Sequence, residues 1–352
     1  MSKLFYKQKT LIGLDISQTG VKVMAIDPKR WLVLGYGSLD LDPLKVQASL
    51  ENPDDTYLAD NIRALLKQNI VGSLNSDHVA IGLPTGRTYS RTFTLPASEE
   101  KHIASAVEVE VDQYIPIPLS SLYLDYDIIE RNKDSVTVIM SAVPRTLVDT
   151  CLAAVRSAGL QPLVAEPSIN AVARVLEATE EGHLSTLIID IGAASTDIAI
   201  LDGGVIRVTG SIGIGSNTFT LDIAKKLNIA LENAHQYKVL NGLAPGPRQA
   251  KITTALAPSL GRIATEVRKV IRYYNERIAT DRKIEQVLIV GGGANVPGVG
   301  DYFTNELVMP ARVAVPWQKL DFGHLTEPNK QFRPRYIAVA GLANVSPQEV
   351  WK

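Results

Sequence analysis

The chain has 352 residues, of which 45% are hydrophobic and 21% charged, and its formal net charge is −1. This length predicts two domains, and the composition excludes a disordered chain. A net charge near zero provides no basic face for nucleic acid. The single cysteine, Cys151, excludes an internal disulfide framework, and no apolar run reaches the roughly 20 residues that cross a bilayer. We therefore expect a soluble, cytoplasmic protein.

The start of the chain predicts a mixed sheet with a covering helix. Apolar patterning predicts a hairpin over residues 11–27, a third strand over 31–37, a helix over 54–69 and a buried strand over 79–84. The order β-β-β-α-β is typical of an α/β domain.

A compact β-α-β-β-α-β block is predicted next, over residues 91–164, inserted between the first sheet and its continuation. Its strands are predicted at 91–95, 122–129, 135–143 and 161–165, and its helices at 98–114 and 146–158. A helix over 168–179 then returns the chain to the first domain.

The second half of the chain predicts another α/β domain with a helical part. Strands are predicted at 186–191, 197–201, 206–212 and 286–290, and helices at 217–227, 231–240, 256–281, 299–307 and 336–343.

One strand–turn–strand unit occurs once in each half of the chain. The hairpin at 186–202 carries Asp190 just before its turn, and the hairpin at 11–27 carries Asp15 at the matching position. This repeat suggests two related domains whose turns face each other across a cleft. Either hairpin alone is better explained by the common use of Asp in turns, but the pairing of the two across the halves of the chain favours a shared site.

Turns built from glycine and small hydroxyl residues can hold phosphate, because several backbone N–H groups converge on one anion. Asp15 and Asp190 would hold Mg²⁺ through water, since hard cations prefer carboxylate oxygen. The candidate phosphate residues are Ser17, Gln18, Thr19, Gly20 and Lys22 in the first hairpin, and Gly192, Ala193, Ala194, Ser195 and Thr196 in the second.

Other catalytic motifs are missing from the sequence. The run Gly291-Gly292-Gly293 follows a strand but lacks the Rossmann spacing, and no P-loop or nucleophile elbow exists. The five histidines are scattered without metal-ligand spacing. Enzymes built on those motifs are excluded.

The order of these features resembles the superfamily of actin, heat-shock chaperones and sugar kinases. Within it the chain is similar to the FtsA-like PilM family of type IV pilus assembly proteins. The stretches that carry this resemblance are 13–22, 108–118, 123–126, 190–197, 266–274 and 336–343. The resemblance covers nearly the whole chain and implies an actin-like (ribonuclease H-like) α/β fold of two domains, with an FtsA-like inserted subdomain.

The resemblance also implies roles for individual residues. Asp15, Glu166 and Asp190 match the acidic trio around Mg²⁺, and Gly292 and Gly293 match the adenosine loop. Glu266 and Lys269 fall where related proteins hold ribose and adenine. Ser17 stands where most of the superfamily has glycine, which puts hydrolytic competence in doubt.

The domain boundaries expected from the resemblance are discontinuous. The first domain takes residues 1–90 and 165–185, and the inserted subdomain takes 91–164. The second domain takes 186–215 and 285–352, with a helical subdomain over 216–284.

The function implied by the resemblance is an ATP-binding scaffold, at most a slow ATPase, with ATP and Mg²⁺ as structural ligands. Its partner would be the cytoplasmic N-terminal tail of the inner-membrane protein PilN, held in a groove between the first domain and the inserted block. The protein would then lie at the inner membrane without inserting into it.

Two alternatives remain open at this point. The first is an active or filament-forming ATPase of the FtsA type, although the segment 346–352 is short and polar for a membrane helix like that of FtsA. The second is a small-molecule kinase, for which no polar cluster supplies a catalytic base. Homo-oligomers are not decided by the sequence.

Overall fold

The computed structural model describes residues 10–180, 184–278 and 282–345. The expected end of the long helix at residue 281 and the tail over 346–352 lie outside these residues. Among the residues described, no helix is long and apolar enough to cross a membrane.

The strands confirm the predicted hairpins and add two short members, β4 and β14. They are β1 (Ile12–Ser17), β2 (Gly20–Asp27), β3 (Leu32–Asp40), β4 (Ile70–Gly72), β5 (His78–Leu83), β6 (Tyr89–Pro96), β7 (Leu122–Arg131), β8 (Ser135–Pro144), β9 (Gln161–Pro167), β10 (Thr186–Ile191), β11 (Thr196–Asp202), β12 (Val205–Ile212), β13 (Gln286–Val290) and β14 (Ala311–Val313).

The helices lie close to their predicted positions except α8, which begins seven residues before its predicted start at residue 256. α1 is an addition that the Asp42 side chain caps through the N–H of Leu44. They are α1 (Pro43–Leu50), α2 (Tyr57–Gln68), α3 (Ile103–Tyr114), α4 (Arg145–Ser157), α5 (Ser168–Thr179), α6 (Ser216–Leu227), α7 (Leu231–Leu240), α8 (Gln249–Arg277), α9 (Val299–Leu307) and α10 (Ile337–Ala343).

The chain forms two compact units. As far as it is described, unit 1 comprises residues 10–87, 143–179 and 316–345, and unit 2 comprises 88–142 and 180–315. Each unit contains one copy of the repeated hairpin.

Unit 1 is built on a six-stranded sheet with the order β4-β3-β2-β1-β5-β9. β1 runs parallel to β5, and β5 runs parallel to β9, so their carboxyl ends meet at one edge. One sheet face packs its apolar side chains against α2 and α4. The other face packs against α10, where a Cβ at Gly13 would lie 2.1 Å from the carbonyl oxygen of Val339. Only glycine permits this approach of helix to strand.

Unit 2 contains two sheets. The five-stranded sheet has the order β12-β11-β10-β13-β14, and its core is shared with α6 and α8. The three-stranded sheet has the order β6-β8-β7 and packs against α3. The two sheets are joined where the buried Thr92 hydroxyl donates to the Arg207 carbonyl at 2.6 Å.

Two assignments made from the sequence are corrected by the sheet pairing. The inserted block is smaller than predicted, because β9 pairs in parallel with β5 and, with α4, belongs to unit 1. The final helix, α10, also belongs to unit 1 and not to the second domain. Local periodicity predicts an element but does not say which sheet it joins.

Candidate functional site

Two side chains hold Asp15 in place, Lys22 of the same hairpin and Ser168 of α5. Asp15 lies opposite Lys22 across β1 and β2, and the Lys22 ammonium is 2.9 Å from Asp15 Oδ2. The Ser168 hydroxyl donates to Asp15 Oδ1 at 2.7 Å. The residue is only 6% exposed. Lys22 therefore neutralises the carboxylate that the sequence predicts as a metal ligand.

The turn of the first hairpin consists of Gln18 and Thr19, between the paired residues Ser17 and Gly20. The Ser17 hydroxyl donates to the Gly20 carbonyl at 2.9 Å and receives a bond from Lys22 at 3.2 Å. Gln18 is exposed at the tip. Ser17 thus uses its hydroxyl inside the hairpin.

Glu166 lies in register with Asp15, with Gly82 between them on β5. Residues in register on parallel strands point to the same face of a sheet. The Glu166 carboxylate receives two hydrogen bonds from Arg174, at 2.8 and 2.9 Å, and Arg174 also donates to the Gly341 carbonyl. This bidentate pair fixes Glu166 against α5 and α10.

The second turn packs on the N-terminus of α6. The Gly192 N–H donates to the Ser195 carbonyl at 2.9 Å, which closes the turn. The N–H of Ser216 donates to the Gly192 carbonyl, also at 2.9 Å. A Cβ at Gly215 would lie 2.6 Å from the Ala193 carbonyl oxygen, so glycine is required there. The predicted phosphate turn is therefore held beside the start of a helix, where anions bind favourably.

The Thr196 side chain makes a contact within unit 2. The residue is fully buried, and its hydroxyl donates to the Ile214 carbonyl at 2.7 Å. This bond ties the hairpin to the segment before α6. The Thr196 hydroxyl is used inside the fold.

Asp190 and the glycine run lie side by side in unit 2. β10 and β13 are parallel, with Asp190 opposite Val290. Gly291 has a φ of 82°, and a Cβ on it would lie 2.2 Å from Asp190 Oδ1. A Cβ on Gly293 would lie 2.2 Å from Ile191 Cγ2, whereas one on Gly292 would meet open space. Two features chosen separately from the sequence therefore form one loop cluster.

Glu266 and Lys269 form an ion pair on α8. The Lys269 ammonium is 2.8 Å from Glu266 Oε2, one helical turn away. The pair lies on the surface with Lys269 exposed. Its predicted contact with adenosine remains a prediction.

Lys238 is a cation near the second turn that the sequence analysis missed. It is 3% exposed, and its ammonium donates to Ser216 Oγ at 2.7 Å, to the Ser216 carbonyl at 2.9 Å and to Thr220 Oγ1 at 2.8 Å. Burial lowers the pKa of Lys238 to about 8. Because Ser216 is bonded to Gly192, this charge lies one residue from the turn. Lys238 lies four residues after the buried Ala234, so the two share one face of α7, and this spacing is the sequence signal that indicates a buried lysine.

These groups fit an anionic ligand in unit 2 better than a preformed metal cage. Unit 2 brings together a tight turn, a helix N-terminus and a buried ammonium. Within the described ranges, no group of three His, Cys, Asp or Glu is placed to hold a metal ion. A metal that arrives with phosphate needs fewer protein ligands, as Mg²⁺ usually does, and Asp190 can supply one.

The fold is shared with solved structures of other proteins. The chain aligns with the PilM-PilN type IV pilus biogenesis complex at a TM-score of 0.77 and 24% identity, covering 96% of this chain and 99% of the other. The ethanolamine utilization protein EutJ from Carboxydothermus hydrogenoformans aligns at a TM-score of 0.58 and 17% identity, covering 96% of this chain and 90% of the other. MreB5 of Spiroplasma citri bound to ADP aligns at a TM-score of 0.52 and 15% identity, covering 96% of this chain and 95% of the other. The protein has the actin-like two-domain fold.

Sequence comparison gives the family. FtsA of Borreliella burgdorferi is 26% identical over 182 residues, which are 46% of this chain and 43% of that protein. FtsA of Neisseria meningitidis is 22% identical over 317 residues, which are 83% of this chain and 72% of that protein. The chain thus spans less than half the length of the first relative. The family described as type IV pilus assembly protein PilM matches residues 13–346, and the chain belongs to this family.

Proposed function

We propose that the chain binds ATP with Mg²⁺ and acts as a scaffold in type IV pilus assembly. The observation that carries this proposal is the cluster in unit 2. The 192–195 turn lies on the start of α6 beside Lys238, and the glycine run lies against Asp190 and Ile191 just before that turn. The MreB5 relative of the same fold is described as bound to ADP.

The turn at 192–195 would contact phosphate, and Gly292 would lie against the nucleoside. The Lys238 ammonium, whose three hydrogen bonds go to Ser216 and Thr220, would favour the negative charge without touching it. Asp190 would orient the water shell of Mg²⁺. The bound nucleotide would supply negative charge for these groups and hold the turns in place.

ATP is proposed as a structural ligand, with hydrolysis slow at most. A general base needs a free carboxylate within reach of the attacking water. Asp15 is paired with Lys22, and Glu166 is paired with Arg174 through both oxygens. These pairs support a scaffold more than a fast ATPase.

The proposed partner is the cytoplasmic N-terminal tail of PilN. The support is the solved PilM-PilN complex, whose fold this chain shares. Through such a tail the protein would be held at the inner membrane, at its cytoplasmic side.

The nucleotide proposal is tested by Asp190→Asn in a calorimetric titration with Mg-ATP. We expect the heat of binding to be lost, because the substitution removes the charge next to Gly291 while leaving the shape of the side chain. The matched control is Asp301→Asn, an exposed carboxylate in the first turn of α9, which should bind as the wild type does. Unchanged affinity in the Asp190 variant would refute the site assignment.

A further inference from the structure

A groove of about 480 Å³ lies between α8 and the end of α9 in unit 2. Its apolar floor is formed by Ile271, Leu307 and Met309, which are partly buried and pack against the core of the unit. Two residues of its wall, Arg272 and Val308, are exposed, so the groove is open to solvent. This volume holds a few side chains, which suits a short segment of chain.

Val308 at the rim of this groove is unfavourably placed in the free protein. It caps the end of α9 with a φ of 55°, in the left-handed region where glycine or asparagine usually ends a helix. A β-branched side chain is strained in this conformation. The residue is also 88% exposed, more than any other large apolar residue among those described. Strain and apolar exposure at one position are typical of a surface that binds a ligand.

The cations of the groove come from α8. Arg268 donates to the carbonyl and the carboxylate of Glu306, at 2.8 and 2.6 Å, so these two charges neutralise each other within the protein. Arg272 lies four residues further along, on the same face, and is exposed. Within the part of the chain that the structure describes, its side chain has no hydrogen bond or ion pair. Arg272 is therefore available to receive a carboxylate.

The charge around the groove selects an acidic partner. α8 carries six basic and two acidic side chains, so an approaching segment meets a positive field. Glu276 also lines the groove, one turn beyond Arg272. Its carboxylate repels a second acid at that end, and it therefore fixes the direction in which an acidic segment can lie.

We propose that this groove binds a short segment of another protein in which aspartate or glutamate precedes a pair of large apolar side chains. The acid would pair with Arg272, and the apolar side chains would cover Val308 and lie on Ile271 and Met309. Burial of apolar area would supply affinity, and the charge pair would supply selectivity and faster association. The groove uses none of the residues assigned to ATP and none of the inserted block, so its occupation requires neither nucleotide nor PilN.

The test uses the full chain and two fluorescent ten-residue peptides. In one peptide two aspartates precede two leucines, and in the other two lysines precede them, with glycine and serine elsewhere. Fluorescence anisotropy should show binding of the aspartate peptide. The lysine peptide should bind at least about tenfold more weakly, because it places like charge against Arg272.

Arg272→Glu should weaken binding of the aspartate peptide by about tenfold, since it replaces attraction by repulsion. The matched control is Arg262→Glu, the same charge change at an exposed position of α8 that does not line the groove. This control should keep the wild-type affinity within about twofold. Equal losses in the two variants would overturn the site assignment, as would a wild type that binds neither peptide.

Val308→Asn separates binding from folding. Asparagine accepts the left-handed backbone, so this variant should unfold at a temperature about 2 °C higher than the wild type. It should also lose about fivefold in affinity for the aspartate peptide, because the apolar rim is removed. A residue with a structural role alone would not change stability and binding in opposite directions. Unchanged affinity in this variant would contradict the proposal.

A second copy of the chain is the other occupant that the groove could hold. Analytical ultracentrifugation of the wild type and the Val308→Asn variant distinguishes the two. The proposal predicts that the substitution leaves the sedimentation of the protein unchanged. A wild-type dimer that the substitution abolishes would assign the groove to self-association and overturn the proposed partner.

Discussion

At the residue scale, the lack of a side chain at Gly291 allows the glycine run to pack against Asp190. Gly291 combines a φ of 82° with a Cβ position 2.2 Å from Asp190 Oδ1. Gly291→Ala should therefore strain the backbone and displace the carboxylate, at a cost of about 2 kcal/mol or more in the free energy of unfolding. Urea unfolding measures the first effect, and Mg-ATP titration should show an affinity loss of at least about tenfold.

Gly292 offers a matched control for that substitution. Its Cβ would meet open space, so Gly292→Ala should change the unfolding free energy by less than about 1 kcal/mol. If this residue lies against the nucleoside, the affinity for ATP still falls. Equal stability of the Gly291 and Gly292 variants would contradict the geometry described.

Lys238 gives a pH dependence with a definite sign. Burial lowers the pKa of its ammonium from 10.5 to about 8 in the folded chain. Between these values the unfolded chain binds more protons than the folded chain, so stability should rise with pH, by roughly 1 kcal/mol per pH unit. Below about pH 8 both states hold the proton, and Lys238 adds no slope.

The measurement is the free energy of unfolding in urea from about pH 7 to about pH 10. Lys238→Met should remove the rise seen in the wild type, whereas Lys225→Met, at an exposed position on α6, should retain it. If the unfolding free energy rose equally with pH in the wild type and the Lys238 variant, burial would not lower the pKa of the ammonium.

The sequence predicts which residues lie near the candidate site better than it predicts the groups to which their side chains bond. Asp190 and the glycine run were chosen separately and lie together, because parallel strands end at one edge. The pairing of Glu166 with Arg174 was not predicted, since it depends on how α5 returns across the sheet. Lys238 was missed because a lysine is usually exposed, and only its contacts with Ser216 and Thr220 explain its burial.

At the scale of elements, one cluster fastens α3 to the rest of unit 2. The Arg91 guanidinium, on β6, lies 3.2 Å from the centre of the Tyr114 ring and 5.6 Å from that of Tyr273 on α8. Arg91 Nε also lies 3.2 Å from Glu110 Oε2. Removing this cation should therefore loosen α3 without unfolding the unit.

Arg91→Ala should speed amide exchange in α3 by about tenfold, since a partly buried cation–π pair contributes roughly 1 to 2 kcal/mol. Hydrogen exchange with mass spectrometry measures this locally. Arg131→Ala removes the more exposed ion pair with Glu100 and should leave α3 near its wild-type rate. Wild-type protection of α3 in the Arg91 variant would show that the cluster is not what holds the helix.

Long elements with clear periodicity were predicted from the sequence, and assignments to sheets were not. Both hairpins and α2, α5, α7 and α9 lie where the apolar spacing placed them. β9 was assigned to the inserted block, but it pairs with β5, a contact between residues far apart in the chain. β4 and β14 were missed because three residues are too few for a pattern to repeat.

For the whole molecule, the two copies of one hairpin explain the actin-like fold better than any single motif does. Each copy lies in the main sheet of its own unit, with a parallel strand beside it and an acid in the second half of its first strand. The resemblance to the PilM family rested on stretches along nearly the whole chain, and the family match over residues 13–346 confirms it. The function carried by that fold still depends on which ligands the two units bind.

The most direct test of the scaffold account is calorimetric titration of the purified protein with Mg-ATP, alone and then with a peptide of the PilN tail. Phosphate release is measured on the same samples. The account predicts that both ligands bind and that phosphate release stays near background. Rapid phosphate release without affinity for the peptide would contradict it and favour an active ATPase.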